Sequence, residues 1–126
     1  MGERMGKKVI VIDDSQTIRE QVAITLRQAG FEILEAVDGV DGAEVIAGAP
    51  DAALVICDVN MPKKNGLELL EDLRRDDRFK TLPVVMLTTE GQPQLIERAR
   101  KSGAKGWLVK PFKADLLLAA VRKLTA

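Results

Sequence analysis

The chain has 126 residues, of which 46% are hydrophobic and 30% are charged, and it carries 19 basic and 19 acidic side chains. This composition is typical of one soluble domain, and no apolar run approaches the length of about 18 residues that a membrane-spanning helix needs. The absence of histidine excludes catalytic triads and zinc sites that use histidine, and the single cysteine, Cys57, excludes an intramolecular disulfide.

The start of the chain contains no apolar stretch of the kind that forms a secretion signal. We therefore expect the protein to be cytoplasmic. We expect residues 1–6 to be a flexible N-terminus and residues 7–126 to form one domain, which leaves no sequence for a second.

Five short apolar runs alternate with five longer segments of helical periodicity. The runs, which we predict to be strands, cover residues 9–12, 31–37, 53–57, 83–88 and 106–109. Short buried strands separated by helices are typical of a parallel sheet that is covered by helices on both faces. The sequence therefore predicts an α/β fold with five strands and five helices in three layers.

The first two helices are predicted from apolar spacing and from the residues at their ends. In the first helix, the apolar side chains three or four positions apart are Ile18, Val22, Leu26 and Ala29. Ser15 offers its side chain as an N-cap, and Gly30 ends the helix. A second, shorter helix is expected around residues 40–47, after a turn formed by Asp38 and Gly39.

The last three helices are also predicted from their apolar positions. These positions are Leu67, Leu70 and Leu73 in the third helix, Leu95, Ile96 and Ala99 in the fourth, and residues 116–124 in the fifth. Gly103 is placed to end the fourth helix, since glycine is common just after a helix C-terminus.

Polar residues with chemically active side chains follow the predicted strands. They are Asp13 and Asp14 after the first strand, Asp58 after the third, Thr88 and Thr89 at the end of the fourth, and Lys110 after the fifth. In a doubly wound parallel sheet the carboxyl ends of the strands lie along one edge, where ligands bind. We therefore expect these side chains to meet in one functional site.

Three carboxylates at one edge of a sheet need positive charge nearby, because two unit charges about 4 Å apart repel by about 4 kcal/mol at an effective dielectric constant of about 20. Mg²⁺ is a suitable counter-ion, since it prefers carboxylate, carbonyl and water oxygens. Lys110 and Thr88 add an ammonium group and a hydroxyl group that suit a tetrahedral anion. Asp58 stands alone after a fully apolar strand and is the candidate nucleophile for phosphoryl transfer, in which it would form an acyl phosphate.

Each of these residues also has a purely structural interpretation. Asp13 and Asp14 would complement the positive end of the first helix, and Asp58 would be a turn residue. Thr88 would be an ordinary strand residue and Lys110 a solvated charge. The coincidence of such residues at four strand ends of one edge favours the functional interpretation.

Four segments, taken in this order and spacing, resemble the receiver domain of two-component response regulators. They are residues 11–15 (VIDDS), 57–62 (CDVNMP) followed by Gly66, 87–90 (LTTE) and 106–112 (GWLVKPF). The resemblance covers residues 7–126 and is strongest to the single-domain chemotaxis type, CheY. It implies a flavodoxin-like fold, which is a doubly wound five-stranded parallel sheet in the order 2-1-3-4-5.

The resemblance implies a role for each residue of the site. Asp58 would accept a phosphoryl group from a phosphohistidine of a partner sensor kinase or from a small phosphodonor. Lys110 would pair with the phosphoryl oxygens, and Thr88 would move inward to donate a hydrogen bond to one of them. The groups that would hold Mg²⁺ are Asp14, Asp58 and the backbone carbonyl of Asn60 directly, and Asp13 mainly through a water.

The resemblance also implies a switch that changes the surface of the protein. Trp107 would turn inward as Thr88 moves, and this would remodel a face made by the fourth helix, the fifth strand and the fifth helix, which binds a downstream target protein. Residues 98–113 on this face include six basic side chains and no acidic one, which suits an acidic partner, although solvated charges are the simpler interpretation for most of them. The bond between Lys110 and Pro111 is expected to be cis.

Two residues depart from the family pattern. Trp107 stands where Tyr or Phe is more usual, and Lys64 stands where Met or Leu is common. Asn60 and Glu90 match chemotaxis regulators whose phosphoryl groups are short-lived, so we expect fairly fast self-dephosphorylation. We expect a monomeric signalling switch in a chemotaxis-like or related bacterial pathway, with neither nucleic-acid binding nor membrane insertion.

The residues are also compatible with two other functions. A haloacid-dehalogenase-like phosphatase uses an Asp nucleophile, Mg²⁺, a Thr and a Lys, but its nucleophile follows the first strand in an Asp-x-Asp-x-Thr pattern. Here Ser15 occupies the position of the second Asp, and the chain has no segment for a substrate cap. A flavin-binding flavodoxin-like protein is disfavoured because the loop after the first strand, which would bind the phosphate, is acidic.

Overall fold

The computed structural model describes residues 6–126, in which five strands and five helices alternate. Their order is β1 (Lys8–Ile12), α1 (Gln16–Gln28), β2 (Glu32–Ala36), α2 (Gly39–Ala47), β3 (Leu54–Cys57), α3 (Gly66–Arg75), β4 (Val84–Thr88), α4 (Pro93–Lys101), β5 (Gly106–Val109) and α5 (Ala114–Thr125). The strands form one parallel sheet in the order β2-β1-β3-β4-β5. This confirms the predicted flavodoxin-like fold. Of the expected flexible segment 1–6, residues 1–5 lie outside the described residues.

The sheet is covered on both faces because its central strands are apolar at nearly every position. Successive side chains of a strand point to opposite faces, and β1 shows the consequence. Val9 and Val11 pack with α1 and α5, while Ile10 and Ile12 pack with α2, α3 and α4. Each face therefore has its own hydrophobic core, and truncating a fully buried side chain such as Leu70 is expected to cost about 2–5 kcal/mol.

Side-chain caps set the starts of the first two helices. The Ser15 hydroxyl accepts a hydrogen bond from the backbone N–H of Ile18 at 3.3 Å, which confirms the predicted N-cap of α1. Asp38 caps α2 in the same way, since its carboxylate accepts from the N–H of Asp41 at 2.7 Å. The interpretation of Asp38 and Gly39 as a turn is therefore wrong, because Gly39 is already the first residue of α2.

Tertiary contacts move several element ends by one or two residues from the predicted positions. Phe31, predicted to begin the second strand, instead lies between α1 and β2 and donates its backbone N–H to the carbonyl of Leu26 in the last turn of α1. The last helix begins at Ala114, two residues earlier than predicted, and Leu116 is exposed while Leu117 faces the core. Within residues 6–126, none of the helices is both long and apolar enough to cross a membrane.

Candidate functional site

The carboxyl edge of the sheet brings together residues from three separate strand ends. Asp13 follows β1, Asp58 follows β3, and Lys110 follows β5. The Lys110 ammonium lies 2.6 Å from one carboxylate oxygen of Asp13 and 3.0 Å from one of Asp58. One cation therefore bridges two carboxylates, and all three side chains are largely buried.

Asp14 completes an acidic cluster with Asp13 and Asp58. One carboxylate oxygen from each of the three residues lies within 4.8 Å of the others, and Asp14 is the exposed member. The donor atoms are all hard oxygens, and one side of the cluster is open to solvent. This arrangement fits Mg²⁺, which binds one or two protein carboxylates and keeps several waters.

Burial and ion pairing act against each other inside the site. Burial raises the pKa of Asp13 above its ordinary value, although hydrogen bonds from Lys110 and from the N–H of Ser15 oppose the shift. Burial alone would lower the pKa of Lys110, but its hydrogen bonds to Asp13 and Asp58 outweigh this effect and the pKa is raised. Lys110 is therefore a permanent cation at neutral pH.

Cys57 precedes Asp58 but takes no part in the acidic cluster. Its side chain is fully buried in the core, and burial raises the pKa of the thiol. A protonated thiol is neither a nucleophile nor a metal ligand, so Cys57 is a core residue.

The loop between β1 and α1 is held from both sides. The N–H of Asp13 donates to the carbonyl of Ala36 at 3.1 Å, and the N–H of Ser15 donates to the Asp13 carboxylate at 2.9 Å. Arg19 of α1 donates to the carbonyl oxygen of Asp13 at 2.7 Å and pairs with Glu35 of β2 at 3.1 Å. Sequence reasoning missed Arg19, because its only signal is a basic residue one turn after the N-cap.

The loop between β3 and α3 returns tightly to the backbone that carries Asp58. A Cβ atom on Gly66 would lie 2.0 Å from the carbonyl oxygen of Asp58, so only glycine fits there. Asn65 then caps α3 reciprocally with Glu68. Lys64, one of the two departures from the family pattern, forms an ion pair with Asp72 of α3. The structure therefore gives this lysine a local partner.

A hydrogen-bonded chain runs from Asn60, two residues after Asp58, to Trp107. The amide of Asn60 donates to the side chain of Glu90 at 2.6 Å, and the indole N–H of Trp107 donates to the backbone carbonyl of Glu90 at 2.9 Å. The N–H of Glu90 in turn donates to the hydroxyl of Thr88 at 3.3 Å. Thr88 is completely buried, whereas its neighbour Thr89 is exposed and lies outside this chain.

The end of β5 completes the site. The peptide bond between Lys110 and Pro111 is cis. The backbone N–H of Lys110 donates to the carbonyl of Thr88 at 2.9 Å, which ties the residue to the end of β4. The structure thus brings together the side chains of Asp13, Asp14, Asp58 and Lys110, as the positions of the strand ends suggest, and links Thr88 to Lys110 through the backbone.

The face formed by α4, β5 and α5 is apolar at its centre and basic around it. Val109 and Leu116 are 51% and 55% exposed, and a groove of about 250 Å³ between α4 and β5 is lined by Ile96 and Trp107. Three of the six basic residues have acidic partners, since Arg98 pairs with Glu71, Arg100 pairs with Glu97, and Lys110 is bonded within the acidic cluster. The exposed lysines of this stretch are Lys101, Lys105 and Lys113.

Comparison with known proteins gives consistent matches over nearly the whole chain. The sequence profile of the family described as response regulator receiver domain matches residues 9–122. The chemotaxis protein CheY1 of Helicobacter pylori is 41% identical over 111 residues, which are 87% of this chain and 90% of that protein. Two chemotaxis proteins of known structure are also similar in fold.

The first of these structures is CheY4 of Vibrio cholerae, which is 38% identical with a TM-score of 0.88 and covers 94% of this chain and 98% of that one. The second is the complex of CheX, CheY, BeF3 and Mg²⁺ from Borrelia burgdorferi. The similar chain in that complex is 27% identical with a TM-score of 0.90, over 97% of this chain and 91% of that one.

Proposed function

Because the chain belongs to the family of response regulator receiver domains, we propose that it is a phosphorylation-controlled signalling switch with Asp58 as its phosphoacceptor. The observation that carries the proposal is the Lys110 ammonium, which lies 3.0 Å from a carboxylate oxygen of Asp58 beside the acidic cluster. In this proposal, the Asp58 carboxylate acts as the nucleophile beside the Lys110 ammonium and a group of oxygen ligands that is open to solvent.

In the proposed step, a carboxylate oxygen of Asp58 attacks the phosphorus of the donor and forms a new P–O bond. The bond from phosphorus to the donor breaks, and its electron pair leaves with the donor, which is a phosphohistidine of a sensor kinase or a small acyl phosphate. Lys110 is close enough to Asp58 to pair with the phosphoryl oxygens once they arrive. These 126 residues contain no histidine, so a phosphohistidine donor would lie outside them.

We assign the metal site to the open side of the acidic cluster. Asp14, Asp58 and the backbone carbonyl of Asn60 would hold Mg²⁺, with Asp13 contributing from the buried side. When bound, the ion supplies positive charge that offsets the carboxylates and the phosphoryl oxygens. Lys110 alone cannot neutralise the cluster, because it forms ion pairs with Asp13 and Asp58 only. The carboxylate of Asp14 stays exposed and without this partner.

The proposed switch uses Thr88 and Trp107. The Thr88 hydroxyl accepts a hydrogen bond from the N–H of Glu90, and the Glu90 carbonyl accepts one from the Trp107 indole. A movement of Thr88 toward a phosphoryl oxygen would therefore release or pull the backbone of residue 90. Since the same backbone holds Trp107, this would alter the α4, β5 and α5 face.

That face would bind the downstream target. Its exposed Val109 and Leu116 offer apolar contact area, and the lysines around them suit an acidic segment of a partner protein. The relatives named above are chemotaxis proteins, so the proposed pathway is chemotaxis or a related bacterial response in the cytoplasm. The switch would promote its own phosphorylation and dephosphorylation without acting as a classical enzyme on a separate substrate.

The phosphatase alternative finds no support at the start of α1. In that alternative a second carboxylate, two positions after the nucleophile, serves as the acid or base. Here Ser15 stands at that position relative to Asp13 and uses its hydroxyl to cap α1. Asp13 itself is engaged by Lys110 and by the N–H of Ser15.

The test is intact mass spectrometry of the chain after incubation with Mg²⁺ and acetyl phosphate. We expect one phosphoryl adduct, lost when the metal is chelated and absent from Asp58→Asn. Asp51→Asn is the matched control, because Asp51 is an exposed aspartate paired with Lys8 at another part of the surface. An adduct that persists in Asp58→Asn at the level of the unmodified chain would refute the proposal.

A further inference from the structure

Arg19 connects three elements around the acidic cluster without touching the cluster carboxylates in the described contacts. It extends from α1, and its side chain is only 12% exposed. One guanidinium nitrogen donates to the backbone carbonyl of Asp13 at 2.7 Å, and another pairs with Glu35 of β2 at 3.1 Å. A long, largely buried arginine that bridges a loop carbonyl and a strand carboxylate holds the loop in one place.

Asp13 is held at each of its polar atoms. Its N–H donates to Ala36, its two carboxylate oxygens accept from Ser15 and Lys110, and its carbonyl accepts from Arg19. The contact from Arg19 acts directly on the peptide bond that leads into Asp14, and the contact from Ser15 closes a turn around the same bond. Removing the guanidinium would loosen that peptide plane and leave only the bond from Ser15 to hold it.

Asp14 depends on that peptide plane more than the other members of the cluster do. Asp13 and Asp58 are buried and bonded to Lys110, whereas the side chain of Asp14 is exposed. Among residues 6–126, no side chain donates a hydrogen bond to the Asp14 carboxylate. The position from which this carboxylate reaches the cluster therefore depends on its backbone, which Arg19 contacts through the carbonyl of Asp13.

We propose that Arg19 is a positioning residue for the divalent cation, and this inference rests on the proposed function of the acidic cluster. The planar guanidinium spans the Asp13 carbonyl and the Glu35 carboxylate at once, which a single ammonium group cannot do in the same way. Glu35 both anchors the guanidinium and offsets its charge. Neighbours that orient metal ligands typically change metal affinity by about 10- to 100-fold when they are removed.

The positioning role and a purely electrostatic role predict opposite results. A positive charge close to the acidic cluster repels a cation, so its removal would tighten Mg²⁺ binding if charge were all that mattered. If Arg19 positions the loop, its removal weakens Mg²⁺ binding even though the local charge becomes more favourable. The sign of the change in affinity therefore separates the two roles.

The experiment is an Mg²⁺ titration of the full chain, followed by the NMR shifts of backbone amides in the β1–α1 loop. We expect Arg19→Met to bind Mg²⁺ about tenfold more weakly, and Arg19→Lys to fall between Arg19→Met and the unmodified chain. The matched control is Arg27→Met, which removes an exposed positive charge from the last turn of the same helix and is expected to leave affinity unchanged. Affinity of Arg19→Met equal to or higher than that of the unmodified chain would overturn the inference.

Two further measurements keep the outcome decisive. If Arg19→Met does not fold, Glu35→Gln removes the anchor while Arg19 keeps its charge, and an unchanged Mg²⁺ affinity in this variant would also overturn the inference. The second measurement is phosphorylation of Arg19→Met by acetyl phosphate. Compared with the unmodified chain, we expect this variant to need a higher Mg²⁺ concentration for half-maximal rate and to keep the same maximal rate. If the unmodified chain bound no Mg²⁺, the proposed function itself would fail, and this inference with it.

Discussion

The Lys110 ammonium lies 3.0 Å from a carboxylate oxygen of Asp58, although 52 residues separate them in the chain. The two side chains follow β5 and β3, and β4 lies between these strands in the sheet. The contact exists because parallel strands present their carboxyl ends along one edge. The contact also has a cost in folding free energy, since it holds charged side chains in a largely buried place that would otherwise suit apolar atoms.

That cost leads to a prediction for Asp13→Asn. Asp13 is 2% exposed, and burial raises its pKa, so the charged carboxylate is held in an unfavourable environment. An amide of nearly the same shape can still accept from Lys110, although its NH2 group cannot replace the oxygen that accepts from the N–H of Ser15. We expect the free energy of unfolding of the metal-free protein to rise by about 1 kcal/mol, as is common when functional charge is removed.

Urea denaturation with the metal chelated measures this change in stability. Asp51→Asn serves as the control, because Asp51 is exposed and its pKa is lowered by a hydrogen bond from Lys8. That variant should gain no stability. A loss of stability in Asp13→Asn would contradict the view that the site stores unfavourable charge.

A second prediction concerns Trp107, the only tryptophan of the chain. Its indole bonds the backbone of Glu90, which also contacts Thr88, so its emission spectrum should respond to phosphorylation. In Thr88→Ala we expect the phosphoryl adduct to form while most of the change in emission is lost. The neighbouring exposed Thr89→Ala should behave as the unmodified chain. A full change in emission in Thr88→Ala would remove Thr88 from the proposed switch.

A third prediction concerns the lifetime of the phosphoryl group. The amide of Asn60 donates to the carboxylate of Glu90 at 2.6 Å, and in the proposed function these polar groups would orient a water toward the phosphorus. We expect Asn60→Ala to lengthen the lifetime several-fold, as followed by the decay of the adduct in mass spectra. Lys63→Ala, at an exposed position of the same loop, is the control. Equal decay in Asn60→Ala and the unmodified chain would argue against this role.

A fourth prediction tests the ion pair between Glu71 of α3 and Arg98 of α4. Two hydrogen bonds of 2.9 Å and 2.8 Å join the side chains, and the bond from Arg98 lowers the pKa of Glu71. A carboxyl group with a lowered pKa in the folded state contributes stability above its ordinary pKa. That contribution is lost as the pH falls through the lowered value.

We therefore expect Arg98→Met to reduce the free energy of unfolding at pH 7 by about 0.5 kcal/mol, which is typical of a surface pair. The difference from the unmodified chain should shrink to zero in acid, where Glu71 is protonated. Denaturant unfolding over a pH series measures it, with Glu71→Gln as the background in which Arg98→Met should have no effect. A difference that persists unchanged in acid would show that the pair acts through packing instead.

The predicted parts of the fold were those that depend on local pattern. Runs of apolar residues identified the strands, and Ser15 identified the start of α1, because both signals act within a few residues. The cap at Asp38 was misinterpreted, since Asp followed by Gly is equally common in turns. The start of α5 was placed two residues late because Leu116 looks like a core residue in sequence but is exposed.

In the candidate site, the residues at the strand ends could be predicted from the sequence, but the contacts that support them could not. The residues after each strand could be placed at one edge from topology alone, so Asp13, Asp58 and Lys110 were expected to meet. The bridge from Arg19 to Glu35 and the chain from Asn60 to Trp107 could not be foreseen, because they depend on how loops and side chains pack across elements. Supporting contacts of this kind leave no periodic signal in a single sequence.

Asp58 is the proposed carrier of the phosphoryl group, and the most direct test locates the modified residue. The phosphorylated chain would be reduced with borohydride, which converts an acyl phosphate of aspartate into homoserine, and its peptides would then be sequenced by mass spectrometry. We predict homoserine at position 58 only, and none in the Asp58→Asn variant. Homoserine at position 13 or 14, with position 58 unmodified, would contradict this account of the site.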